Sequence, residues 1–169
     1  MPVSMYNISI PVFRKMLGNL SAILTKAEAH AAARKIDPAV LLQARLFPDM
    51  FPLTKQVQIA CDFAKGAAAR LAGAEVPKYD DNEASFDDLR GRIAKTLAFV
   101  ETFKPAQIDG SEARTVSITL GGQAYQFTGL DYLDNVVFPN FYFHVTTAYN
   151  ILRHNGVEIG KSDFVGALQ

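Results

Sequence analysis

Three histidines limit where acid–base or metal chemistry can sit in this chain: His30, His144 and His154. His144 is the most informative, because the apolar residues around it turn it inward. At 3.6 residues per turn it shares a face with Leu133, Val137, Asn140, Ala148 and Ile151. A buried imidazole needs a hydrogen-bond partner, and Asn140, one turn earlier, is the expected one. Asp62, beside Phe63 and within a turn of Ile59 and Gly66, can reach the same interior from another helix; the alternative is a solvated helix carboxylate. His144, Asn140 and Asp62 are therefore the candidate pocket residues, with His144 the candidate metal ligand. Two readings stand for His144: a satisfied core histidine, or a residue lining a pocket with or without a metal. His154 follows Arg153 at the end of a helical segment, where positive charge complements the helix C-terminus. His30 lies among alanines and reads as surface. Cys61 reads as a small buried hydrophobe rather than a nucleophile, since no histidine or lysine is placed by sequence to lower its pKa.

Motifs for other chemistries are missing. There is no G-x-S-x-G elbow, no G-x-x-x-x-G-K-[ST] phosphate loop and no G-x-G-x-x-G fingerprint. Lys+Arg and Asp+Glu each count 17, so the basic surplus that nucleic acid or an anionic membrane favours is lacking. A single cysteine rules out an internal disulfide and zinc sites built on four cysteines or on two cysteines and two histidines. It suits a reducing cytoplasm. The N-terminus does not read as a signal peptide, and no apolar run approaches the roughly 20 residues that span a bilayer. At 169 residues the whole chain, 1–169, reads as one domain.

The elements that must position these residues are mostly helical. From about residue 9 to 34, Val12, Phe13, Met16, Leu17, Leu20, Ile23, Leu24 and Ala27 recur at steps of three and four. Pro11 is tolerable near a helix start, with the preceding residues in a separate turn or a kinked extension. A proline-rich connector follows, with a short helix after the Asp37-Pro38 cap; Phe47, Met50, Phe51 and Leu53 are expected to fold it down over the helices. A second long helix runs from Thr54 to about Gly73, facing inward with Val57, Ile59, Phe63, Ala67 and Leu71. Ser85 with Asp88 caps a third, to about Phe103, carrying Phe86, Leu89, Ile93, Leu97 and Val100 inward. Residues 114–128 alternate with period two around Gly121-Gly122, a hairpin signal. The fourth helix, about Leu130 to His154, is interrupted by Pro139 and ended by Asn155-Gly156. Val157, Ile159, Phe164, Val165 and Leu168 predict a docked tail. The fold class is all-α, a four-helix bundle with one small β-hairpin between its third and fourth helices.

The run Asn140-Phe-Tyr-Phe-His144, followed by Arg153 and then Asn155-Gly156, resembles the last bundle helix of DinB-like proteins. With NLSAILTKAEAHAAARKIDP, PDMFPLTKQVQIACDFAKGAAARLAG and PNFYFHVTTAYNILRHNGVEIGKSDF, the chain is similar over nearly its whole length to a domain-of-unknown-function branch of that superfamily. The resemblance implies a divalent metal held by one histidine on the second helix and an H-x-x-x-H pair on the last. His144 matches the second member of that pair. The first falls on Asn140, and the second-helix histidine falls near Asp62-Phe63. A neutral amide donates little to zinc or nickel, so the expectation leans to no bound metal. Members with the full triad resemble thiol-dependent transferases and isomerases. Two functions follow: a degenerate metal-dependent, thiol-transferase-like pocket around His144, or a non-enzymatic small-ligand-binding or dimeric stress-response module. The resemblance and the all-round apolar fourth helix both imply a homodimer.

Overall fold

The computed structural model describes residues 4–167. Its elements are α1 (Met5–Arg34), α2 (Pro38–Leu42), α3 (Leu53–Ala72), α4 (Phe86–Val100), α5 (Pro105–Ile108), β1 (Thr115–Leu120), β2 (Gln123–Thr128), α6 (Gly129–Asp131), a π-helical turn (Tyr132–Val137), α7 (Phe138–His154) and α8 (Lys161–Val165). α3 packs along α7 and α4, and α1 along α4 and α7. Phe13, Leu17, Leu20, Leu24, Val57, Leu71, Phe141 and Ile151 are fully enclosed between them.

The helix ends follow from local chemistry. The Ser85 hydroxyl accepts from the Asp88 N–H at 3.1 Å, and the Asp88 carboxylate accepts from Ala84 N–H at 3.0 Å, a capping box one residue out of phase. Asp37 accepts from the Ala39 N–H at 2.9 Å, with Pro38 at the first helical position of α2. α3 stops at Gly73, which takes φ 69°. α1 corrects the reading of the N-terminus. It begins at Met5, because Ser4 accepts from the Asn7 N–H at 3.1 Å while Asp109 accepts from Ser4 Oγ and Tyr6 N–H at 2.7 and 3.0 Å. Pro11 then lies inside the helix and forgoes only the bond to the carbonyl of Asn7, an exposed residue.

β1 and β2 pair antiparallel from Thr115↔Thr128 to Leu120↔Gln123, the only sheet among the described residues. Gly121 and Gly122, exposed at the turn, have φ 57° and 83°, the positive values that a tight hairpin turn demands. Val116 and Ile118 bury their side chains and so tie the hairpin to the helical core. The tail docks as expected: Asn19 donates to the Phe164 carbonyl at 2.9 Å, Lys26 pairs with Asp163 at 2.7 Å, and Val157 and Ile159 are buried. Leu168 lies outside the described residues.

The connector between α2 and α3 departs from expectation. Leu41, Leu42 and Leu53 are buried, but Phe47 and Phe51 are 63% and 54% exposed. Arg45 donates to the carbonyls of Pro48 and Met50 at 3.4 and 3.1 Å, which curls the connector on itself and turns its aromatic rings outward. Among the described residues no helix is long and apolar enough to cross a membrane.

Candidate functional site

The α3–α7 seam carries the polar groups that the helical period turns inward. Gln56, Phe63, Gly66 and Arg70 fall on one stripe of α3, at spacings of seven, three and four. His144 faces this stripe from α7 and is 8% exposed. Its Nδ1 lies 2.7 Å from Gln56 Oε1, and Gln56 Nε2 donates to the Phe51 carbonyl at 3.0 Å. A carbonyl only accepts, so the amide nitrogen of Gln56 must face Phe51 and its oxygen must face His144. His144 therefore carries its proton on Nδ1 and presents Nε2 as a lone pair. No partner meets Nε2 among the described residues, and the atom is not one of the sealed, unsatisfied ones. Phe63 stacks on the imidazole at 6.2 Å between centroids, and Phe143 meets it edge-on at 5.2 Å. Burial lowers the imidazole pKa from its ordinary 6.5, which favours the neutral form.

Asn140 is not the partner of His144. Its side-chain amide donates to the Val136 carbonyl at 2.7 Å. Pro139, with no N–H and a ring that crowds the carbonyl four residues back, stands where the regular α ladder breaks. The backbone widens to a π turn in which Phe138 N–H reaches the Leu133 carbonyl, and Asn140 serves the junction.

Asp62 is taken as well. Its carboxylate accepts from Arg92 at 2.9 Å and from Lys65 at 2.6 Å. Arg92, with a side chain 2% exposed, also meets Glu83 at 2.9 Å, Asp81 at 3.0 Å and the Asp80 carbonyl at 3.1 Å. It fastens the α3–α4 linker across the two helices.

These placements decide how a metal would fit. Among the described residues no three His, Cys, Asp or Glu side chains are arranged so that they could hold a metal ion. The one imidazole has an amide beside it, and the nearby carboxylate is held by two cations. That donor set does not suit zinc or nickel. Cys61 is fully buried, and burial pushes its thiol up to about 12, against a thiolate role. His154 is exposed in the last turn of α7, and His30 is half-buried on α1. Sequence reasoning passed over Gln56 and Arg92. Each is a polar residue at a buried helical position, Arg92 between Leu89 and Ile93, and that mismatch was the available signal.

A search of curated proteins returns no match. Among solved structures, the chain is similar to a crystal structure of a DinB family member protein from Shewanella denitrificans, at 48% identity and TM-score 0.88, over 96% of this chain and 92% of that one. Residues 5–165 match the family model described as a domain of unknown function, DUF1993. A helical fold with one antiparallel hairpin and this extent of likeness agree: the chain belongs to the DUF1993 family, a DinB-like domain of unknown function.

Proposed function

We propose that the chain is a four-helix bundle of the DinB type in which the metal position has become a metal-free recognition point, so that the protein binds a small molecule through Nε2 of His144. The bundle reading is supported by the mutual packing of α1, α3, α4 and α7. The observation that carries the functional reading is Gln56, which fixes the His144 tautomer and leaves Nε2 an acceptor between Phe63 and Phe143. The matching ligand is a neutral hydrogen-bond donor on a flat or apolar body: a hydroxyl, an amide or a thiol. A thiol would accord with the thiol-dependent relatives that the fold resembles. The free, buried Cys61 suits a reducing cytoplasm.

Protein purified without a histidine tag is expected to hold no stoichiometric zinc or nickel. Nitrogen NMR is expected to show His144 as the Nδ1–H tautomer, titrating below 6.5. His144→Ala strips Gln56 of its partner and should cost about 1–3 kcal/mol in stability with metal content unchanged. Thiol transfer that requires added zinc or nickel and disappears in His144→Ala would establish the metal-dependent enzyme instead.

The same surface supports self-association. Phe47, Phe51 and Phe143 are more than half exposed, and the chain that links Phe51 to Gln56 and His144 brings two of them to one side of the protein. Isolated exposed apolar residues are ordinary, but grouped ones mark interfaces. A second copy would cover them, and a formal charge of zero adds no long-range repulsion. Sedimentation at high micromolar concentration is expected to give a dimer; a species of 18.5 kDa would exclude it.

A further inference from the structure

Beyond His144, the α3 stripe continues to Arg70, and there the hairpin and the π-helical turn close over it. The space between them is a cleft of about 130 Å³ lined by Asp62, Phe63, Arg70, Ile118, Thr119, Leu120 and Tyr132. We propose that this cleft binds a small monocarboxylate with a compact apolar body, of the size of benzoate, and that Arg70 takes the carboxylate.

The arginine is held in place by the fold. A Cβ on Gly66 would lie 2.5 Å from Arg70 Nη1, so the guanidinium occupies the space that the missing side chain leaves on α3. Glycine in a helix interior costs about 1 kcal/mol relative to alanine, and at this position it gives Arg70 room to lie toward Tyr132. Nη1 donates to the Tyr132 hydroxyl at 3.0 Å, and Tyr132 is 1% exposed. The positioning group is thus buried and rigid.

The charge of Arg70 is left over. Arg92 meets three carboxylates and Arg90 meets two, whereas Arg70 pairs with no carboxylate among the described residues. One of its five N–H groups is used within the protein, which leaves a fork suited to a bidentate carboxylate. Asp62 also lines the cleft, but two cations, Arg92 and Lys65, meet its Oδ1 and offset its charge. The remaining walls are Phe63, Ile118 and Leu120, which an aliphatic or aryl body can cover. An apolar cavity of about 150 Å³ accepts benzene. A cleft of this size has room for about one ring, and Arg70 favours a ring that carries an anion.

His144 is not among the walls of this cleft and meets it through Phe63, which stacks on the imidazole. NMR titration of the full chain with benzoate is the test, with benzamide and inorganic phosphate as comparators. Benzoate is expected to saturate in the millimolar range and to shift Phe63, Ile118, Leu120 and Tyr132. Benzamide lacks the charge and phosphate lacks the apolar body, so each should bind at least about tenfold more weakly. Arg70→Gln should weaken benzoate by about tenfold or more. Gly66→Ala, which displaces the guanidinium while favouring the helix, should do the same. Melting curves identify any variant that fails to fold, and Gly66→Ala and Arg70→Gln serve as independent routes to one result. Equal binding of benzoate and benzamide, benzoate affinity unchanged in folded Arg70→Gln, or no saturable shift at these residues would each overturn the proposal.

Discussion

An Arg92→Met variant is expected to lose about 3 kcal/mol of stability, read as a fall in melting temperature of about 6–12 °C for a chain of this size. The arginine side chain is 2% exposed and its partner Glu83 is 9% exposed, so methionine would fill the space yet strand a buried carboxylate. Removing one member of a buried ion pair costs about 3–5 kcal/mol because the survivor is desolvated and uncompensated. The low end applies here. Asp62 and Asp81 are 40% and 38% exposed and can recruit water once the guanidinium is gone. Glu83 would keep only Gln58, which donates to it at 2.7 Å. The α3–α4 linker would then be tied to the helices chiefly through Lys55–Asp81 and Gln58–Glu83. Arg92→Lys should recover part of the loss, since an ammonium restores the charge without the fork. Denaturation of both variants checks this. A methionine variant within about 0.5 kcal/mol of the parent would mean that the network behaves as a solvated surface cluster.

Gly129→Ala should be comparably severe for an unrelated reason. A Cβ there would sit 2.0 Å from the Ser111 carbonyl oxygen and 3.4 Å from Leu71 Cδ2. The obstacle is backbone, so no rotamer change relieves it. The carbonyl is itself committed, accepting from the Arg114 N–H at 3.0 Å in the turn that leads into β1. Next door, Leu130 N–H donates to the Glu112 carbonyl at 3.1 Å. Pushing Ser111 away therefore disturbs both the entry and the exit of the hairpin. Overpacking of this kind costs about 3 kcal/mol, again about 6–12 °C in melting temperature. Gly18→Ala makes the control. It sits within α1 with nothing inside 4 Å of the added carbon, and should be neutral or stabilising by up to about 1 kcal/mol. If the two alanine variants melt together, the close approach at Ser111 is not a constraint on the fold.

What the sequence disclosed and what it withheld divide along physical lines. Local signals were legible: Ser85 and Asp37 cap because their side chains reach the next turn, Gly121-Gly122 turns because both take positive φ, and Asn155-Gly156 ends α7. His144 was legible as inward-facing because helical phase alone sets that direction. Its partner was not. Asn140 shares its face and lies one turn away, yet its amide bonds back to the Val136 carbonyl on its own helix. Gln56 is 88 residues distant in sequence, and only the packing of α3 on α7 brings it to the imidazole. The same holds for Asp62, whose cations come one from its own helix and one from α4. The outward Phe47 and Phe51 were misjudged because apolar character says that a ring prefers burial, while the curled connector decides whether burial is available.

The π-helical turn has a consequence for how the two ends of the α3 stripe are coupled. One residue contributes about 100° of rotation to a helix, and a π turn holds one residue more than the α turn it replaces. Tyr132 lies at the start of this turn and His144 lies beyond it. The widened turn thus absorbs the extra residue, so that the tyrosine that steadies Arg70 and the imidazole that meets Gln56 keep their bearings on one face of α3. Deleting one residue between Tyr132 and Pro139 would be taken up by a return of the turn toward about 3.6 residues, with Tyr132 still directed at Arg70 and His144 still facing α3. The turn is therefore a length buffer: the two polar stations hold their relative bearing across a change of one residue in the chain between them.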